Sequence, residues 1–381
     1  LKREDVPIGL LWSTHGTYER LGRSSLAGAS HAIDRINRLG LYGFQLRAIH
    51  YDPHGEAERY RDGAARLLGG GARHIFGATT SASRKDIAPD LQQHHALLWY
   101  SCSYEGFESD ENVVYLGATP NQALLPLLRH ALDAFGKTAF LIGSDYVWGW
   151  ESNRITREVL QFAGGEVLGE HYLDLGATEG IDNLVDELLA SAPAFVLNNL
   201  VGESSYSFLK ALDRASARAG QRLPVLSYDL TEAELDKIGP LQALRLITAG
   251  PYFEELVPEF TRRQYHEYGQ VRLSHFYTGA HVSIELFAQA RAECGTDDPA
   301  QLLAYLHQTP VITSIGTIRL CSHNNHGALP CHIAELAGDR FRIVHSEPRA
   351  VEADPYLTQT DLRTFQNHTG DAASRHLRIV K

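Results

Sequence analysis

Five residues in the last fifth of the chain carry side chains that hold zinc in other proteins: Cys321, His323, His326, Cys331 and His332. Thiolate and imidazole are common zinc ligands, and a hairpin could gather several of them around one ion. Their spacing fits no established zinc pattern, so solvated hairpin histidines and small buried cysteines are the plainer reading. Cys102 is a second candidate, as a nucleophile, but the sequence places no particular histidine to lower its pKa. A zinc- or thiol-dependent hydrolase using Cys102 or the Cys321 to His332 cluster is therefore kept as the alternative. Other catalytic patterns fail: His266-Glu267 lacks the second histidine of a zinc-protease helix, and there is no Gly-x-Ser-x-Gly elbow. Gly69-Gly70-Gly71 precedes a strand instead of following one, so it reads as a helix-ending turn and not as a phosphate cradle.

A pattern of position is more persuasive. Residues 97–117 begin as an apolar run and then present hydroxyl, thiol, phenol and carboxylate groups before a second apolar run. Similar clusters follow other expected strands: Ser13 to Tyr18, Ala78 to Ser83, Tyr100 to Glu105, Ser144 to Trp148, Gly202 to Ser205, and Tyr228-Asp229. Any one of them is more often a helix N-cap than a binding site, because Ser, Thr and Asp cap helices for structural reasons. Their recurrence, with Tyr100, Tyr146 and Trp148 among them, fits an aromatic-walled cleft for a small hydrogen-bonding molecule.

The elements that must position these groups alternate. Strands are expected over residues 6–12, 45–51, 72–76 and 96–100, and helices over 21–39, 56–68 and 84–94. The alternation restarts after Ala118-Thr119-Pro120-Asn121-Gln122, with strands over 138–143, 166–172, 194–200, 223–227 and 246–250. Longer helices follow over 258–268 and 277–292, with a short one over 299–307. Two short β segments then flank a hairpin-like turn at residues 323–327, and a tail from Pro348 wraps a surface. Strand-helix alternation of this kind gives parallel sheets covered by helices on both faces, and open α/β sheets bind ligands beyond the carboxyl ends of their strands.

Composition narrows the partners. At 381 residues the chain suits two α/β lobes better than one core. Its 35 basic and 46 acidic side chains leave a formal charge of -11 and no basic block, which argues against direct nucleic-acid contact or an anionic membrane surface. No apolar run approaches the roughly 20 residues that span a bilayer. The opening residues lack a signal-peptide core, so the expectation is either a cytoplasmic protein or one whose leader was removed. Four cysteines are too few for a disulfide framework.

The polar clusters also carry a resemblance. Thr80-Ser81-Ala82-Ser83-Arg84-Lys85, Tyr104-Glu105-Gly106-Phe107-Glu108, Ala118 to Gln122, Gly143-Ser144-Asp145-Tyr146 with Glu151-Ser152-Asn153, and Asn324-Asn325-His326 with Ile333-Ala334-Glu335 resemble the type I periplasmic-binding-protein family, the Leu/Ile/Val-binding-like group. The chain is most similar to its amide and urea binders, namely the amide sensor of the amidase operon and the urea or short-chain amide receptors of ABC transporters. The resemblance implies two Rossmann-like lobes joined by three hinge crossovers near residues 118–122, 250–253 and 320–329. One lobe would comprise 1–119 plus 251–324, the other 120–250 plus 325–381. It implies a non-enzymatic protein without cofactor that binds a short-chain amide, urea derivative or amino acid. Its partner would be an ABC permease outside the cytoplasm or an antiterminator inside it, with a homodimer as an option.

Carried over position by position, the resemblance places ligand contacts at Thr79, Ser81, Tyr100, Cys102, Tyr146, Trp148, Glu203 and Asp229. Ser81 and nearby backbone N–H groups would take a carbonyl or carboxylate oxygen. Glu203 or Asp229 would accept from ligand N–H groups. Relative to the amide sensor, Thr79 replaces a tyrosine, Cys102 a threonine, Trp148 a tyrosine and Glu203 a small hydroxyl residue. Extra carboxylates suit a cationic ammonium, because a buried carboxylate without a partner is costly.

Overall fold

The computed structural model describes residues 3–269 and 272–367, so the last part of the expected tail lies outside the described residues. Two parallel-rich sheets form the frame. The first is built from β1 (Glu4–Leu11), β2 (Phe44–Tyr51), β3 (His74–Gly77), β4 (Leu97–Tyr100) and β5 (Val113–Tyr115), in the order β2-β1-β3-β4-β5. All its pairings are parallel. Strands β3, β4 and β5 are buried throughout, as expected of short apolar runs covered on both faces.

Helices α1 (Glu19–Leu39), α2 (Ala57–Gly69) and α3 (Ser81–Gln93) connect these strands. After β5 the chain passes through a turn at residues 118–122 and α4 (Leu124–Ala134) into the second sheet. That sheet uses β6 (Thr138–Ser144), β7 (Glu166–Leu173), β8 (Phe195–Asn199), β9 (Leu223–Leu226) and β10 (Leu244–Gly250). Between them run α5 (Val147–Ala163), α6 (Ile181–Ser191), α7 (Glu203–Ala219) and the short α8 (Leu235–Ile238).

From β10 the chain returns to the first lobe. There α9 (Pro258–Tyr268), α10 (His275–Cys294) and α11 (Pro299–Gln308) precede the hairpin of β11 (Val311–Thr313) and β12 (Gly316–Ile318). Helix α10 crosses α1 closely enough that a Cβ on Gly28 would lie 2.0 Å from the Tyr277 carbonyl oxygen, so only glycine permits the contact. A last passage leads to β13 (His332–Ala337) and β14 (Arg340–Ser346), which extend the second sheet antiparallel, giving the order β14-β13-β10-β9-β8-β6-β7. The expected two lobes and three chain passages are thus present. Around residue 323 the antiparallel feature reduces to a bridge between Leu320 and Gly327, with Cys321 N–H donating to the His326 carbonyl.

Numbered from its own first strand, the first sheet has the order 2-1-3-4-5, and the second repeats it and adds β13 and β14 at the far edge. In each the order reverses between the first and third strands, β1 and β3 in one lobe and β6 and β8 in the other. A crevice opens at such a reversal because the flanking connections leave on opposite faces. No helix among the described residues is long and apolar enough to cross a membrane.

Candidate functional site

The two crevices face each other across one cavity. Its first wall is Tyr18 and Leu21 from the start of α1, Thr79, Thr80 and Ser81 between β3 and α3, Tyr100, Cys102 and Ser103 after β4, and Phe276 from α10. Its second wall is Tyr146 and Trp148 at the start of α5, Val201 before α7 and Asp229 after β9. The space open to the centre of a water molecule is about 20 Å³. That admits about one water.

Local chemistry fixes the first wall. Thr80 caps α3: its hydroxyl accepts from Ser83 N–H at 3.2 Å while the Ser83 hydroxyl accepts from Thr80 N–H at 3.1 Å. This capping box turns the first residues of α3, whose N–H groups have no carbonyl one turn back, toward the cavity. The Ser81 hydroxyl, by contrast, donates to Glu105 Oε2 at 2.5 Å. Its hydrogen is therefore already engaged by Glu105. Tyr100 is fully buried and its hydroxyl donates to the Thr79 carbonyl at 2.9 Å. Behind it Arg84 has no exposed surface, forms two 2.9 Å hydrogen bonds with Glu108, and lies 4.6 Å and 4.5 Å from the ring centres of Tyr100 and Tyr104. The aromatic wall is backed by a buried guanidinium paired with a half-buried carboxylate.

The second wall presents polar atoms that remain unused. Trp148 is 3% exposed and packs 4.5 Å from the Tyr228 ring, and its Nε1 has no hydrogen-bond partner among the described residues. Asp229 Oδ1 is likewise buried and without a hydrogen-bond partner. Burial, with Glu234 adding repulsion, pushes the Asp229 carboxyl well above the ordinary carboxylate range, and a bond from Ser103 offsets this only in part. Burial also keeps the phenols of Tyr100 and Tyr146 neutral by raising them well above their usual range.

Seven of the eight expected contacts, Thr79, Ser81, Tyr100, Cys102, Tyr146, Trp148 and Asp229, meet at this cavity. Glu203 does not line it. Its side chain is 54% exposed at the start of α7, 3.5 Å from Lys237 Nζ, where a carboxylate complements the helix dipole. The sequence reading did not single out Tyr18, Leu21, Thr80, Ser103, Val201 or Phe276. Tyr18, Thr80 and Ser103 lie inside clusters already noted, whereas Leu21 and Phe276 reach the cavity because α1 and α10 cross there.

The hydrolase candidates do not assemble. Burial, with Asp229 nearby, pushes the Cys102 thiol far up, and its Sγ lies 3.6 Å from the Ala78 carbonyl. It is a lining thiol without thiolate character. No three of Cys321, His323, His326, Cys331 and His332 bring ligand atoms within 4.8 Å of one another among the described residues. Instead His326 Nδ1 lies 2.6 Å from the Asn324 carbonyl and Nε2 2.6 Å from the Tyr104 hydroxyl, and His332 Nδ1 lies 2.7 Å from the Ser346 hydroxyl. These histidines are occupied by structure.

A family model described as periplasmic binding protein domain matches residues 6–362. The chain belongs to the periplasmic binding protein family. Membership places it among binding proteins, not enzymes. Solved structures share the fold at low identity. One is a solute-binding protein of an ABC transporter from R. palustris in complex with 4-hydroxybenzoate, with TM-score 0.81, 16% identity, and coverage of 91% of this chain and 98% of that one. An amino acid ABC transporter substrate-binding protein from Pseudomonas fluorescens gives TM-score 0.80 and 15% identity over 93% and 98% of the two chains. A leucine-binding protein from Thermotoga maritima gives 0.76 and 14% over 90% and 98%.

Proposed function

We propose that this protein is the extracytoplasmic substrate-binding component of an ABC transporter and takes a small ligand with an oxygen acceptor at one end and an N–H or ammonium group at the other. An amino acid fits best, with short-chain amides and urea derivatives as the close competitors. The observation that carries this reading is the pair of unused buried atoms, the Trp148 Nε1 donor and the Asp229 Oδ1 acceptor, in one cavity. Buried polar groups are nearly always hydrogen-bonded, so two complementary orphans in one cavity mark where ligand groups dock.

The helix start at Ser81 supports an oxygen on the first wall. An ammonium favours the ionised form of the raised Asp229 acid and would pair with it. The transporter role is favoured by family membership and by the solved structures of similar fold, among them ABC-transporter binding proteins for an aromatic acid and for amino acids. Because the cavity is nearly closed, ligand enters when the lobes part and is held when they meet.

A thermal-shift panel of amino acids, short amides, urea and hydroxybenzoates tests the reading, since a ligand that binds only the native state raises the melting temperature. A stabilising amino acid or amide whose effect is lost in Trp148→Ala is the expected result. Stabilisation by hydroxybenzoates alone, or by nothing in the panel, would sink it.

A further inference from the structure

We propose that His15, Asp52 and His54 bind one late first-row divalent cation of the zinc, nickel or copper class on the rim of the first lobe. Their ligand atoms all lie within 4.8 Å of one another. His15 comes from the loop after β1, and Asp52 and His54 from the loop after β2; these strands run parallel with Leu11 beside Tyr51, so their carboxyl ends deliver both loops to one place.

The donors are arranged before any ion arrives. Asp52 Oδ1 accepts from the backbone N–H groups of His54 at 2.8 Å and Thr14 at 3.2 Å. Its Oδ2 accepts from the Thr14 hydroxyl and lies 2.9 Å from His15 Nδ1. Donation from the Thr14 hydroxyl and from two backbone N–H groups favours the ionised carboxylate, the form in which it can hold a metal. His54 adopts φ of 57°, and its ring stacks on that of His15 with centres 4.6 Å apart and planes 23° apart.

Two imidazoles and one carboxylate form a mixed nitrogen-oxygen set that favours zinc and its late first-row neighbours over calcium or magnesium, which prefer oxygen alone. Three protein donors leave a fourth position for water. The His15 side chain is 55% exposed, so an ion reaches it from solvent without separation of the lobes.

The site has a structural consequence for the cleft. The same loop meets the second lobe: a Cβ on Gly202 would lie 2.0 Å from the Thr17 carbonyl oxygen, and one on Gly176 would lie 2.8 Å from Thr17 Oγ1. It also feeds Tyr18 into the cavity wall, with the Tyr18 hydroxyl 3.3 Å from the Gly55 carbonyl. A cation joining His15 to His54 ties down the surface on which the second lobe closes.

Calorimetric titration of the metal-free full chain with Zn²⁺, and of the same protein with Co²⁺ followed by visible absorption, tests the proposal. One ion per chain is expected, with affinity at least about tenfold weaker in His15→Ala and in His54→Asn, a loss that even an outer partner of a metal ligand can produce. His15→Gln, which keeps a side-chain hydrogen bond available to Asp52, should lose the ion equally. The metal-free melting temperature is measured for each, and His15→Gln, which keeps the hydrogen bond, should match the parent. Stoichiometric binding that survives in the His15→Ala/His54→Asn double variant, or no saturable binding to the parent, overturns the assignment.

Discussion

The imidazole Nε2 of His275, at the start of α10 in the first lobe, lies 3.9 Å from Oδ1 of Asp229 in the second, and neither atom has a hydrogen-bond partner among the described residues. Burial lowers His275 to about 4, which leaves it neutral near pH 7, and raises the Asp229 carboxyl well above its usual range. The lobes thus meet over two groups whose charged forms burial disfavours, one of which lines the cavity. A ligand ammonium would complete that set by converting the acid to its carboxylate.

Asp229→Asn should therefore weaken an ammonium-bearing ligand by about 2–5 kcal/mol, the cost of removing one partner of a buried charge pair. Ligand-free stability should not fall, because burial already disfavours the charge that the substitution removes. Since the ligand favours the ionised form of a raised acid, binding should release protons and strengthen as pH rises toward the Asp229 pKa. Calorimetry in two buffers of different ionisation enthalpy measures the release; equal heats in both would remove the ammonium role.

Trp148→Phe keeps most of the aromatic wall and deletes the unpartnered Nε1 donor. Affinity should fall by about 0.5–1.5 kcal/mol if that donor meets a neutral ligand acceptor. Unchanged affinity in a dose-response thermal shift would mean that the indole serves only as a wall.

Glu232 and Glu234, buried just beyond Asp229, are raised by burial to about 8 and about 7. An acid raised in the folded state contributes fully below its unfolded pKa and loses that contribution as pH climbs to the folded value. Stability should decline from about pH 4.5 toward pH 8 on account of these groups. Glu232→Gln should flatten the decline, with a gain at pH 8 on the order of 1–4 kcal/mol and none at pH 4.5. Denaturant melts at both pH values check it.

Gly202→Ala adds a Cβ 2.0 Å from the Thr17 carbonyl at a position with φ of 65° and ψ of -135°. The strain should cost about 1–3 kcal/mol in stability. Ligand affinity should fall further than stability does, because the clash lies where the lobes meet. Small-angle scattering should show a larger radius of gyration for the variant with ligand present than for the parent. Identical radii would contradict a closed contact at this point.

Sequence periodicity revealed the alternating elements and the two units because buried parallel strands are short apolar runs and their helices are amphipathic. The cavity was legible wherever a polar cluster followed a strand, as at Thr79, Tyr100 and Asp229. Directions were not. Glu203 begins a helix exactly as Ser81 does, yet its side chain turns outward to Lys237 while Ser81 lines the cavity. Phe276 sits within a helix that gives no local sign of reaching a cleft, and only the crossing of α10 on α1 brings it there. The Cys321 to His332 group looked like ligands because of residue type, and strand pairing then separated its members.

The third chain passage is bound more tightly to one lobe than its sequence suggests. Tyr115 N–H donates to the Asn325 carbonyl, Gly327 N–H donates to the Tyr115 carbonyl, and His326 stacks on Tyr115 with ring centres 4.2 Å apart. Tyr104, which shares a hydrogen bond with His326, also covers Arg84 behind the Tyr100 wall. Residues 325–327 are therefore joined to the first lobe, so a cleft that opens should bend this passage between Gly327 and β13. The backbone freedom left there, beside Pro330, would then help to limit how far the walls carrying Trp148 and Asp229 can part from Tyr100 and Ser81.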